Sequence, residues 1–289
     1  MRAPLPVSPT RHHSDLGRWV HAEVRPRGLA GLVDSIWYFD GWLAHPRERV
    51  FPDGRIELNV HLAEPYGQVE DDRAEAFPAI CLSGVQQHTA LLEAPRGGTA
   101  VLGIRLFPAG ASTLLGRPLH DLTDLTVELG DVVGRAAAEL GERCAAVEGA
   151  EARIRATVRW LLERAALASA RADDDDAAIA RVAAEIERRR GAVSIAELRK
   201  RFGWSRSRFA RAFRERIGVS PKRLACIVRF RHALELLHRG DLSLSEIALR
   251  AGYYDQPHFN GDFREFAGTT PGRYLSARRY PSSVNLAEV

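Results

Sequence analysis

The chain has 289 residues, 45% hydrophobic and 27% charged, with 41 Lys+Arg against 37 Asp+Glu. This length predicts two domains with a core of good size, and no apolar run approaches the ~18 residues of a membrane span. Cys81, Cys144 and Cys226 are far apart and form no C-x-x-C pair. That excludes a disulfide or structural-zinc framework and fits a reduced cytoplasm.

The small net charge of +4 hides an uneven split. From residue 177 onward, 22 Lys+Arg face 11 Asp+Glu, a net of +11, whereas residues 1–176 hold 19 and 26, a net of −7. A basic half beside an acidic half places polyanion binding on the C-terminal part alone.

In chain order, Met1 to Arg18 is polar and lacks the apolar stretch of a signal peptide. Residues 15–110 read as β-rich. Apolar pieces between Trp19 and Phe39 are interrupted by Arg25-Pro26-Arg27-Gly28, and Phe51-Pro52-Asp53-Gly54 is a turn signal. Ile56, Leu58, Val60 and Leu62 then alternate with Glu57, Asn59 and His61, as in a half-buried strand. Residues 79–85 form another short strand candidate. Leu102, Ile104 and Leu106 alternate with Gly103, Arg105 and Phe107, and residues 108–110 stop that strand. By residue type alone, Trp37, Trp42, Asp53, Glu57, His61, Cys81, His88 and Arg105 are candidates to line a ligand pocket, with Trp37, Asp53, Glu57, His61 and Arg105 foremost. Asp53 also reads as a plain turn residue, and Arg105 as a partner for Glu57. No His/Asp/Glu spacing forms a metal set, and no cofactor is expected.

From Ala111 the pattern becomes helical, with a short helix at 111–115 and helix-length stretches at 129–147 and 152–168. Ile154, Val158, Leu161 and Leu162 mark a stripe on the last, either a dimer seam or ordinary packing. Asp173 to Asp176 is a run of four acids, read as a solvated linker or, more sharply, as a competitor with DNA for a basic face. The expected domains are 1–172, the linker 173–176, a helical domain 177–280, and a frayed tail 281–289.

The helical domain contains one unit twice. Phe209, Phe213, Gly218 and Pro221 recur 50 positions later as Phe259, Phe263, Gly268 and Pro271. Upstream the offset is 49: Ser194, Glu197, Leu198 and Gly203 match Ser243, Glu246, Ile247 and Gly252. Each S-x-x-E is a capping-box signature, each glycine ends a first helix, and Ser205 and Asp255 cap the second helices. The phenylalanines fall on one side of each second helix; Arg206, Arg208, Arg211 and Arg214 occupy the opposite side of the first. A long helix from Pro221 to Leu237 joins the copies. The pattern is that of two helix-turn-helix units, held so that both second helices can enter major grooves about 34 Å apart.

The second copy, with Ala248, Gly252, Tyr253, Phe259, Phe263, Gly268, Pro271 and Tyr274, resembles the DNA-binding domain of the AraC/XylS family of transcription regulators. The resemblance covers residues 180–280. It extends more loosely to a sensor-like N-terminal domain of one family branch through Trp37-Tyr38-Phe39, residues 52–58 and residues 102–110. It implies an α+β chain: a β-rich, barrel- or cupin-like N-terminal domain with trailing helices, then an all-α domain of two helix-turn-helix units on a long helix. It further implies a cytoplasmic transcription factor that binds promoter or operator DNA, modulated by a small-molecule effector or by homodimerisation, with RNA polymerase as a partner and no membrane. Carried over by position, base contacts fall to Arg206, Ser207, Ala210 and Arg211, and to Gln256, His258, Asn260 and Gly261. Phosphate contacts fall to Arg208, Arg214, Arg264 and Arg273. Gly261 departs from the pattern, because a glycine reads no base and costs a helix about 1 kcal/mol.

Two other function classes remain. One is an enzyme of the alkylation-repair methyltransferase type fused to the same helices, which needs a reactive cysteine; the expectation is no enzyme. The other is a ligand-independent DNA-binding protein, whose melting no small molecule would raise.

Overall fold

The computed structural model describes residues 6–44, 47–169, 173–277 and 285–286. The first half is built from β1 (Thr10–Ser14), β2 (Gly17–Val24), β3 (Val33–Leu43), β4 (Arg47–Val50), β5 (Ile56–His61), β6 (Gly67–Glu70), β7 (Arg73–Ala76), β8 (Ile80–Ser83), β9 (Ala90–Glu93) and β10 (Thr99–Leu106). Then follow α1 (Pro108–Leu115), β11 (Thr126–Glu128), α2 (Leu129–Val133), α3 (Arg135–Ala145) and α4 (Gly149–Ser169). The strands form two antiparallel sheets, ordered β1-β2-β3-β10-β5-β8-β11 and β4-β9-β6-β7, and a short β12 (Asn285–Leu286) extends the second beside β4. The remainder of the expected tail lies outside the described residues.

Alternation along the strands sorts side chains onto two faces. Ile36, Leu58, Leu82, Leu102 and Ile104 are fully buried in the main core, each contributing about 1.5–3 kcal/mol by leaving water. The other face of the large sheet carries Trp37, Glu57, Asn59, Gly103 and Arg105, with Trp37 opposite Gly103 and Arg105 opposite Glu57 in register. Gly103 is required there: a Cβ would sit 2.0 Å from the Trp37 ring.

Several expectations shift. Strands extend past residues 15–110 at both ends, through β1 and β11. The helix expected at 111–115 begins at Pro108, whose fixed φ suits the first helical position. The stretch 129–147 is two helices, parted at Gly134 with φ +60°. Ile154 and Leu161 of the expected dimer seam are buried in the chain's own core, with Val158 and Leu162 packed against it. Those four side chains are therefore spent internally, although Leu167 on the same helix is 62% exposed.

The second half comprises α5 (Asp174–Arg188), α6 (Ile195–Arg201), α7 (Arg206–Ile217), α8 (Pro221–Arg239), α9 (Leu244–Arg250), α10 (Gln256–Ala267) and α11 (Pro271–Ala277). The acidic run is no linker. Asp173 caps α5 in a full capping box with Asp176, and carboxylates crowd the helix N-terminus, where the dipole favours them. Helix α8 buries Leu224, Ile227, Val228, Phe230, Ala233 and Leu237 because neighbours cover nearly all of its circumference. The β-rich half is one of them: Phe51 sets its ring edge-on to Phe230 and Tyr274 at 5.9 and 5.7 Å.

Candidate nucleic-acid interface

Each helix-turn-helix unit is fixed by local chemistry. In the first, Ser194 Oγ accepts from the Glu197 amide at 3.3 Å, without the return bond of a full capping box. In the second, Ser243 and Glu246 make both bonds. Gly203 (φ +65°) and Gly252 (φ +86°) supply the left-handed turns between helices. Ser205 and Asp255 then cap α7 and α10, accepting from the Arg208 and His258 amides at 3.3 and 2.8 Å.

Helix α7 buries Phe209, Ala212, Phe213 and Ile217, while α10 buries Phe259, Phe263, Phe266 and Ala267. Phe263 packs on Phe259, Phe230 and Tyr274 with ring centroids 5.5–5.7 Å apart. With those faces turned inward, Arg206, Ser207, Arg208, Ala210, Arg211 and Arg214 are all exposed on α7. On α10 the exposed residues are Pro257, His258, Gly261, Arg264 and Glu265, and Arg273 is exposed on α11. No side chain or backbone comes within 4 Å of where a Cβ on Gly261 would stand, so packing does not demand glycine there.

Three expected contact residues are half-buried or already paired. Gln256 is half-buried and accepts from Ser245 Oγ at 2.6 Å. Asn260 is half-buried, and its Oδ1 is shielded without a partner among the described residues. Arg208 donates to Asp175 at 2.9 Å and stacks over Trp204 at 4.7 Å. On the same helix Arg216 is held by Asp176 at 2.5 Å and Asp173 at 2.8 Å. The acidic run therefore reaches the basic helix, and Asp175 and Arg216 join the relevant residues. The four-acid run was the only sequence signal for them, and it did not name their partners.

The expected ligand residues of the first half form one cluster with outliers. Trp37 Nε1 donates to Glu57 at 3.0 Å. Arg105 pairs with Asp53 rather than Glu57, and Asp53 also accepts from the Arg55 amide at 2.9 Å. Burial raises the Glu57 pKa, opposed by the charge of Arg105. Asp53 is held below the ordinary range despite its burial, by Arg105 and Arg55. His61 lies apart, its Nδ1 3.2 Å from the Pro78 carbonyl and its ring stacked on Phe77. Trp42 and His88 are exposed, and Cys81 is fully buried. Among the described residues no His/Cys/Asp/Glu group could hold a metal ion, and no helix is long and apolar enough to cross a membrane.

Residues 198–277 match the family described as "Helix-turn-helix domain", and residues 23–128 match a domain of unknown function (DUF6597). An uncharacterized HTH-type transcriptional regulator of Haemophilus influenzae is 37% identical over 70 residues, 24% of this chain and 24% of its own length. The HTH-type transcriptional regulator ExsA of Pseudomonas aeruginosa is 32% identical over 79 residues, 27% of this chain and 28% of its own. The chain thus spans about a quarter of the length of these curated relatives. Apo ToxT from Vibrio cholerae aligns over 83% of this chain and 96% of its own, at 14% identity and a TM-score of 0.43. Through residues 198–277, the chain is identified as carrying the AraC-type helix-turn-helix domain of the HTH-type transcriptional regulators, behind a β-rich N-terminal region.

Proposed function

We propose that this chain regulates transcription by sequence-specific binding of double-stranded DNA through α7 and α10, with the β-rich region responding to a small molecule or mediating self-association. The observation that carries it is the pair of equivalent units flanking one buried helix, each turning a polar or basic second-helix face outward. Base reading falls to Arg206, Ser207, Ala210 and Arg211, and in α10 to His258 with Gln256, Asn260 and Gly261. Arg208, Arg214, Arg264 and Arg273 hold phosphates, which position the protein without specifying sequence. An effector site falls on the Trp37, Glu57, Asp53 and Arg105 cluster. The chain divides in this reading into a sensing part up to residue 172 and a reading part from 173, a boundary supported by the start of α5 at the Asp173 cap.

The test is binding of full-length protein to fragments of its own upstream region and to unrelated DNA across a salt series. Selective binding that weakens with salt supports the reading; equal affinity for every fragment removes it. Arg211→Ala is expected to cost about 1–3 kcal/mol on the preferred site and to relax preference at one base pair. A loss that is the same on unrelated DNA would reduce Arg211 to a phosphate contact.

The Asp175 pair bears on the same surface. Asp175→Asn is expected to strengthen DNA binding by about 0.2–1 kcal/mol, the range of an exposed ion pair, because Arg208 no longer has to leave a carboxylate. Unchanged affinity would show that Arg208 stays off the DNA or keeps Asp175 while bound.

The repair-enzyme reading needs a thiolate. Burial, with Glu57 nearby, pushes the Cys81 thiol up to about 12, and burial also raises Cys144 and Cys226. These are the settings of inert thiols, which supports regulation without catalysis.

A further inference from the structure

Between the turn at Thr123 and the junction of α7 with α8 lies a cavity of about 610 Å³, walled by both halves of the chain. Gln87, His120 and Thr123 line it from the β-rich half; Arg214, Ser220 and Arg223 line it from the helical half. Its floor is pinned by two cross-half bonds, Thr123 Oγ1 to the Gly218 carbonyl at 2.9 Å and Arg223 Nη2 to the Gln87 carbonyl at 2.8 Å. No acidic side chain lines it.

Three features give the cavity a positive bias. Arg214 is exposed and has no carboxylate partner among the described residues, unlike Arg208 and Arg216 on the same helix. The 19-residue α8 starts at the wall with its dipole positive, although Pro221 has no N–H and Ser220 takes the Arg223 amide, so the helix start adds field rather than free donors. His120, whose Nε2 lies 3.5 Å from Asp121 Oδ1, adds a ring with a hydrogen-bond donor. Arg223 is occupied by Glu265 and by the Phe266 ring, so it shapes the wall and contributes less as a donor.

We propose that this cavity binds a phosphate group, held by Arg214 from one half and by His120 from the other. The site is incomplete in either half alone, so a bound phosphate bridges the β-rich region to the first helix-turn-helix unit. Two sources share that chemistry, a DNA backbone phosphate and a free phosphate ester, and only the first rests on the DNA-binding reading above.

The experiment uses full-length wild type, His120→Ala and Arg214→Ala. Each is titrated with the upstream duplex and an unrelated duplex over a salt series, and melted with and without millimolar pyrophosphate against chloride of equal ionic strength. If the phosphate comes from DNA, His120→Ala and Arg214→Ala each weaken both duplexes by the same factor, about three- to tenfold, and Arg214→Ala, which removes a fixed charge, also lowers the salt slope by about one. If it comes from a free ester, pyrophosphate raises the wild-type melting temperature and the rise disappears in both variants. A wild type that binds no duplex but melts higher with pyrophosphate keeps the cavity and sinks the transcription reading. A response to Arg214→Ala alone, or to neither variant, overturns the proposal, since the β-rich half would then hold no phosphate.

Discussion

Phe259→Ala is expected to destabilise the protein by about 3–5 kcal/mol, measured as a shift of the denaturant midpoint with an unchanged slope. The ring is fully buried and packs on Tyr253 at 5.3 Å and on Phe263 at 5.7 Å. Truncation removes its transfer energy and leaves a void that Phe263 cannot fill, because Phe263 is itself wedged against Phe230 and Tyr274. The helix carrying the outward residues of the second unit is anchored by this ring, so DNA affinity should fall with stability. A variant that melts like the wild type would show that α10 is rotated from the register described.

That register was legible in the sequence because its determinants are local. The spacing of Phe259 and Phe263, the cap at Asp255 and the left-handed turn at Gly252 each act within a few residues, and a second copy of the signal sits 50 positions upstream. The half-made capping box at Ser194 shows the limit even there, since Glu197 has the correct type and spacing but makes no return bond. The acidic run was misread as a linker for a related reason. Four aspartates look solvated in isolation, yet two close a capping box between them and three hold arginines 33 to 43 residues away. Cross-strand alternation put Glu57 and Arg105 on one face, and the register sets them opposite. That Arg105 would choose Asp53 depended on where the turn returned, which no periodicity encodes. The short β6 and β7, with mostly exposed or half-buried side chains, carry too little apolar pattern to be seen.

The contact between the two halves was the least legible feature, and Glu187→Ala tests it. Glu187 on α5 receives Arg55 from the β-rich half at 2.7 Å and Arg231 from α8. Arg55 also holds Asp34 at 3.1 Å, and Arg231 donates to the Asp53 carbonyl at 2.8 Å. One carboxylate thus satisfies two guanidinium groups, and Arg55 is only 7% exposed. Removing it strands positive charge that water cannot fully reach, a loss of about 3–5 kcal/mol for a fully buried pair. Glu187 is 20% exposed and Arg55 keeps Asp34, so the expected cost is nearer 3 kcal/mol, more than half of the roughly 5 kcal/mol that holds an ordinary domain at the low end. Glu187→Gln, which keeps an acceptor of the same shape, should cost less. The same residues place Asp53, a member of the proposed effector cluster, one bond from the helix that joins the two DNA-reading units. If the halves communicate through this contact, Glu187→Ala will also change how far any effector shifts DNA affinity, a difference measured as coupling free energy between the two ligands. Full stability in Glu187→Ala would mean that Asp34 and water suffice for the two arginines and that the packing at Phe51, with the Thr123 and Arg223 bonds, is enough to join the halves.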